Sequence, residues 1–449
     1  MVIWIARDFG PMTKGKKRMA RKTYGLWMGL FWLLAACVAA PVAPAVPTAS
    51  TGAPVLQEAP ADIPAPPGFE GRAWGDIVAT AQGQTVSFYM WGGSDIINGW
   101  VTGYVAETVR SRYGVNLVMT PVADAPDFIN KVLGEMQAGR DTNGSVDLMW
   151  VNGENFRTLR QGELVYGPWA NFLPNSTFVN WDDPSVANDF GLPVDGYESP
   201  YGKAQFVMIY NSALVPEPPQ SVPDLLAWIR ENPGKFTYAA PPDFTGAAFV
   251  RHVCYAASGG HAQFMGEFDA ELFARKFGAC WQTLNDLEPS LWRGGQTYPE
   301  TRARMLDLFA NGEVYFDMAY NPAEASSLIA QGRYPEEART FVFEEGTIAN
   351  THYVAIPYNS PHTAGAMVVA NFLLSPEAQL SKADPTGWGD LPVIDPARLP
   401  AAERQAFEDL PRGPATLSDE ILAAHRLPEL PAAWIAAIER AWVTQVLER

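Results

Sequence analysis

Cysteine and histidine are scarce in this chain of 449 residues, which holds three of the first and five of the second. His252, His261, His352, His362 and His425 show neither HExxH spacing nor a paired-cysteine arrangement, which argues against a zinc site. A Gly-x-Ser-x-Gly elbow, a P-loop and a GxGxxG turn are also missing, and no cysteine and histidine pair looks nucleophilic. Positive charge is short too. Lys and Arg number 32 against 49 Asp and Glu, a net charge of -17. Residues 1–36 hold seven basic residues and one acidic one, so the remainder carries -23. Such a surface repels phosphate backbones and argues against nucleic acid as a partner. Screening within about 10 Å at moderate salt leaves only a weak preference for cationic or neutral ligands. No metal and no cofactor are expected.

What is present begins with a basic stretch (Lys16, Lys17, Arg18, Arg21, Lys22) running into an apolar segment from Leu26 to Ala36. The apolar run is too short to span a bilayer and has the flanks of a secretory signal, so residues 1–36 are read as a signal peptide. Leu34-Ala35-Ala36-Cys37 resembles a bacterial lipobox, which implies an acylated Cys37 as the first mature residue and membrane anchor. The alternative is an ordinary signal peptide cut near Val38-Ala39-Ala40, with Cys37 discarded. Residues 37–71 follow as a Pro- and Ala-rich linker: Pro41, Pro44, Pro47, Pro54, Pro60, Pro64, Pro66 and Pro67 favour extended, poorly ordered chain. The folded body is expected after about Gly68.

That body is long enough for two domains. Its remaining cysteines, Cys254 and Cys280, are read as a disulfide in an oxidising compartment, worth up to about 3 kcal/mol; two buried thiols are the other reading. Thr85–Trp91 alternates as a strand, and Gly92-Gly93-Ser94-Asp95 breaks it and caps a helix. A strand over Val115–Thr120, a helix over 126–138 and a strand over Ser145–Val151 complete a βαβαβ order, hence a parallel sheet whose strand ends face a ligand. Tyr201–Asn211 reads as a long extended run that suits a crossing between two halves. Phe236–Ala240 reads as a strand before a helix that begins near Phe244-Thr245-Gly246. Strand Val314–Ala319 exits at Tyr320-Asn321, and a closing amphipathic helix carries Trp434, Ile435, Ile438, Trp442 and Val446 at helical spacing.

This order of parts resembles the extracellular solute-binding proteins of bacterial ABC importers, of type II periplasmic binding fold, over about residues 80–400. The segments that carry the resemblance are Ser199–Lys203 continuing to Tyr210-Asn211-Ser212, Leu306–Ala319 with its Asn311-Gly312-Glu313 turn, and Ala370–Gln379 with Ser375-Pro376-Glu377-Ala378-Gln379. The branch includes binders of thiamine, polyamines and ferric ion. The resemblance implies an α/β fold of two lobes, each a mostly parallel sheet flanked by helices, with a ligand cleft between them. Lobe one would hold 72–203 plus 347–380, and lobe two 204–346 plus 381–449. It also implies a monomer at the extracytoplasmic face, lipid-anchored, delivering a solute to a permease and an ATPase.

Loop ends that converge on a cleft nominate the ligand residues: Trp91, Ser94, Asp95, Asn152, Glu154, Phe244, Thr245, Gly246, Trp292, Tyr298, Tyr320 and Asn321. Each has a plainer role open to it, since Ser94, Asp95 and Thr245 can simply cap helices and the aromatics can simply pack. No adjacent tyrosine pair is present of the kind that ferric-ion binders use. Asp95, Glu154 and Asp317 with the aromatic faces favour a cationic organic solute such as thiamine or a polyamine; Arg293 and two helix N-termini leave an anion open. A secreted, glycosidase-like hydrolase using two carboxylates across a cleft is the rival class.

Overall fold

The computed structural model describes residues 58–122 and 125–449. The signal segment, Cys37 and the first part of the linker lie outside the described residues. Eleven strands follow in chain order: β1 (Thr85–Trp91), β2 (Asn116–Val122), β3 (Leu148–Val151), β4 (Asn188–Asp189), β5 (Leu192–Pro193), β6 (Glu198–Gln205), β7 (Val207–Asn211), β8 (Phe316–Ala319), β9 (Ala338–Phe341), β10 (Thr347–Ala355) and β11 (Arg426–Pro428).

In the first body β1 is central, parallel to β2 on one side and β3 on the other. Its alternation places Val86, Phe88 and Met90 in the core, the period-2 pattern of a half-covered strand. The crossover to β2 passes through helix Asp95–Gly99, a π-helical turn over Trp100–Val105 and helix Ala106–Tyr113, which ends on left-handed Gly114. These helices send Trp100, Val101, Val105 and Val109 inward, where they meet Met367, Val368 and Phe372 of the almost wholly buried helix Thr363–Leu373. On the far side of β3 the sheet continues with antiparallel β10, which pairs in turn with β6 and with a short parallel β11.

The second body is built on a three-stranded sheet in which β7 lies between β8 and β9 and is antiparallel to both. The incoming strand sits in the middle and both partners return against it, so a parallel neighbour is not available to it. Phe236–Ala240, read from sequence as a strand, joins no ladder. It runs extended beside two loops, with Trp292 N–H donating to the Phe236 carbonyl at 2.7 Å and Ala240 N–H to the Pro299 carbonyl at 2.8 Å. Helix Phe244–Ser258 is capped by Asp243 and packs on helix Gly278–Leu287, where Cys254 and Cys280 are joined as a disulfide. The closing helix Ala432–Trp442 buries Trp434, Ile438 and Trp442 in the second core.

Two segments sit differently from the sequence expectation. Linker residues from Glu58 onward are not loose: Ala59, Ile63, Ala65 and Phe69 pack on the first core, and the Tyr166 hydroxyl donates to the Pro67 carbonyl. Apolar Ile63 and Phe69 between the prolines supply burial that Pro and Ala alone would not. The 381–449 stretch, expected with the second lobe, is divided: Trp388, Val393, Ile394 and Leu399 lie in the first core, whereas Ala415, Leu422 and Trp434 lie in second-body cores.

The bodies are joined by strands that leave one core and enter the other. β6 has Tyr201 in the first core and Ala204 in the second, and Phe206 then lies between β6 and β7. β10 has Ile348 in the second core and Val354 in the first. Phe206 N–H donates to the Ile348 carbonyl at 2.8 Å, so the two crossings are tied where they pass.

Candidate functional site

The strand registers dictate where the loop ends point. β10 pairs with β3 as Tyr353 opposite Val151, so its earlier residues, 347–352, run on past the carboxyl end of β3 toward the second body. There β8 pairs with β7 as Ala319 opposite Val207, so Tyr320 leaves its sheet beside the β6–β7 crossing. Gln205 N–H donates to the Tyr320 carbonyl at 2.9 Å. The carboxyl ends of β1 and β3 and the exit of β8 therefore face one another across the crossing strands. This is where two-lobed α/β proteins place small ligands.

Of the nominated residues, the structure brings Phe244 and Tyr320 into contact, their ring centroids 4.5 Å apart. Trp91 and Phe244 are each 44% exposed, a large apolar area left open at the end of β1 and at the start of helix Phe244–Ser258. Ser94 caps its helix through Ile97 N–H, and Asp95 begins that helix with its side chain exposed. Asn152 is half-buried after β3, and Glu154 opens helix Glu154–Gln161 with an exposed carboxylate. Asn321 joins the bodies: its amide donates to the carbonyl of first-core Trp388 at 2.8 Å.

Other nominations are placed elsewhere. Trp292 lies in a second-body core with its indole N–H on Glu313 at 3.1 Å, and Tyr298 is wedged between Tyr238 and Trp442. A Gly-rich loop with two aromatics reads as an open wall, yet its backbone is pulled onto Phe236 and both rings turn inward. Thr245 and Gly246 are likewise not free donors. Both N–H groups are taken by Asp243 Oδ1, at 3.0 and 3.1 Å. Gly246 is required by packing, since a Cβ there would lie 1.7 Å from the Ala239 carbonyl oxygen. Asp317, nominated for a cation, is buried in an ion pair with Arg302 and accepts from Tyr334.

Several polar side chains at this seam were not visible from sequence. Arg251, 1% exposed on a mostly apolar helix, pairs with Glu429 at 3.2 Å, and Tyr320 donates to the same carboxylate at 2.9 Å. Asn350 of β10 adds a fourth group, its amide 3.2 Å from Glu429. Burial by itself would weaken the Arg251 charge; Glu429 outweighs it and holds the guanidinium firmly protonated. On the first body, buried Lys382 bonds Asp390 at 2.7 Å and the Tyr201 carbonyl at 2.6 Å, beside Trp150, His352 and Trp388. Burial would raise the Asp390 carboxyl, but Lys382 and His352 hold it below its ordinary value. At the start of helix Glu154–Gln161, Gly153 N–H donates to buried Asp189 at 2.6 Å.

The order of parts and the two-body geometry agree with the comparison to known proteins. Residues 104–411 match the model of a family described as bacterial extracellular solute-binding protein. The chain belongs to that family. Protein YnjB of Escherichia coli is 42% identical over 370 residues, covering 82% of this chain and 93% of that protein. Among solved structures, the spermidine/putrescine ABC transporter substrate-binding protein PotD of Streptococcus pneumoniae superposes with a TM-score of 0.57 at 15% identity, covering 81% of this chain and 99% of that one. The apo ferric ion-binding protein A of Pasteurella haemolytica gives 0.54 at 13%, covering 81% and 98%. These likenesses show the type II periplasmic binding fold. Membership of an extracellular family places the chain outside the cytoplasm, and the hydrolase reading has no support in it.

Proposed function

We propose that this protein captures a small cationic organic solute between its two bodies and delivers it to a membrane permease driven by an ATPase. The observation that carries the charge assignment is that the backbone donors at the start of helix Phe244–Ser258 are already filled. Asp243 takes Thr245 and Gly246 N–H. An anionic solute would find that helix start occupied by an internal carboxylate. The buried cations nearby are matched as well, Arg251 by Glu429, Arg302 by Asp317 and Glu324, and Lys382 by Asp390. Among the described residues, Asp95 and Glu154 make no side-chain hydrogen bond or ion pair, and exposed Trp91 and Phe244 offer faces for a cation, each worth about 1–2 kcal/mol when desolvated.

In this reading closure is a population shift driven by contacts that only the closed state makes, with no covalent step. Trp91, Ser94, Asp95, Asn152, Glu154, Phe244, Tyr320 and Asn321 form the walls. Lipidated Cys37 tethers the monomer to the envelope, and the transporter named in the PotD match supplies the precedent for delivery. A thermal-shift screen tests it, after unfolding and refolding to strip any co-purified solute. Spermidine, putrescine and thiamine are set against phosphate, glutamate and neutral sugars. A ligand at a hundred times its Kd stabilises by about 2.7 kcal/mol, roughly 3 °C for a chain of this size. Stabilisation by anions or sugars alone would overturn the charge assignment, and a flat screen would overturn the receptor reading.

A further inference from the structure

Two crossings between the bodies, β6–β7 and β10, bear on one residue of the proposed wall. The Tyr320 carbonyl accepts from Gln205 N–H at the first crossing, and its ring stands edge-on to Phe206 with centroids 5.8 Å apart. Its hydroxyl donates to Glu429, which also receives the Asn350 amide of the second crossing. Glu429 itself follows β11, which pairs with β10, and precedes helix Ala432–Trp442 of the second core. Arg251 holds the arrangement from the second body, donating to the Tyr320 hydroxyl at 2.9 Å and pairing with Glu429. Phe244 packs against the buried Tyr320 ring and is itself 44% exposed.

We infer that Tyr320 and Glu429 form a coupling element that transmits contact at the Phe244 face to the crossing strands. Tyr320 and Glu429 are thus positioning residues for closure. The inference rests on the solute-capture reading for what presses on Phe244, but the mechanical link is a property of the empty protein. Two routes leave the ring. The backbone carbonyl leads to β6 and β7, and the hydroxyl leads through Glu429 and Asn350 to β10. A neutral wall residue packed on an independent core would have neither.

The test is amide hydrogen exchange on the full-length protein without any solute, read at 203–208 and at 347–351. Phe244→Ala uncovers the ring and should speed exchange at both crossings by about tenfold, the effect of loosening one hydrogen bond to a charged group. In a Tyr320→Phe background the same substitution should still act at 203–208 but no longer at 347–351, because only the hydroxyl route is cut. Asn350→Ala cuts that route at its other end and should give the same loss, which keeps the test available if Tyr320→Phe fails to fold. Unchanged exchange at both crossings in Phe244→Ala would overturn the inference. So would an effect at 347–351 that survives both background substitutions. Because no solute is present, either failure is separate from a failure of the receptor reading.

Discussion

Asp189 offers a sharp prediction because its carboxyl is buried without a positive partner. It is 2% exposed, accepts Gly153 N–H on Oδ2, and finds no hydrogen-bond partner for Oδ1 among the described residues. Burial pushes its pKa up to about 8, with a further push from Glu429. Neighbouring Glu198, fully buried with neither oxygen bonded, is also raised well above the carboxylate range by burial and by Asp189, with Arg160 opposing. The folded state therefore keeps the Asp189 proton across a window in which the unfolded chain has lost it. The stabilisation is complete below the unfolded value near pH 4 and is lost as pH rises through 8. One such proton changes stability by about 1.4 kcal/mol per pH unit, hence by about 2.7 kcal/mol between pH 5 and pH 7. Asp189→Asn keeps an acceptor for Gly153 and removes the titration. Urea unfolding of both proteins at pH 5, 6 and 7 is the assay. The variant should gain on the parent by about 2–3 kcal/mol across that interval, while titrating groups remote from Asp189 cancel in the difference. Parallel pH dependences would refute the claim that Asp189 is held protonated.

Other expectations follow from the same contacts. Lys382→Ala strands the buried Asp390 carboxylate and should cost about 3–5 kcal/mol in chemical unfolding, with part recovered when Asp390 is also replaced by Asn. Replacing both Cys254 and Cys280 by Ala opens a loop of 26 residues in sequence separation and should lower stability by about 3 kcal/mol, a loss that reducing agent should reproduce in the parent. Gly246→Ala drives a methyl group into the Ala239 carbonyl, and circular dichroism melts should show it among the most damaging single-methyl changes in the chain. Trp91→Ala should weaken binding of a solute found in the screen by about tenfold, a cation–π and area term, with an unchanged melting temperature in its absence.

Local pattern carried the first body well. The alternation in Thr85–Trp91, the glycines that end it and the amphipathic helices between strands are all short-range signals, and the βαβαβ reading follows from them. Long-range pairing left no such trace. β6 and β10 form an antiparallel ladder although they are separated by well over a hundred residues, and the crossing at Phe206 interrupts what reads as one continuous strand. The charged groups at the seam were hidden for the same reason. Arg251 and Glu429 stand 178 residues apart, and neither belongs to a motif. Arg251 did carry one usable signal, an ionised side chain inside the largely apolar stretch Ala247–Tyr255, which requires a buried partner somewhere. Trp292 and Tyr298 misled because an aromatic in a glycine-rich loop looks the same in sequence whether the ring faces water or the core. The local capping of Thr245 and Gly246 by Asp243 was readable from its position just before the helix, and it decides against the anion-receiving role given to that helix start.

The docking of residues 59–69 on the first core makes the two bodies mechanically unequal. Force applied to the chain upstream of Glu58 is received by the first body through Ile63, Phe69 and the Tyr166 hydroxyl, before it reaches any crossing strand. Among the described residues the second body is joined to the first through the crossings and the seam contacts. In the closure proposed above, a pull on the amino-terminal end would therefore be borne by the first body and would not load the crossing strands.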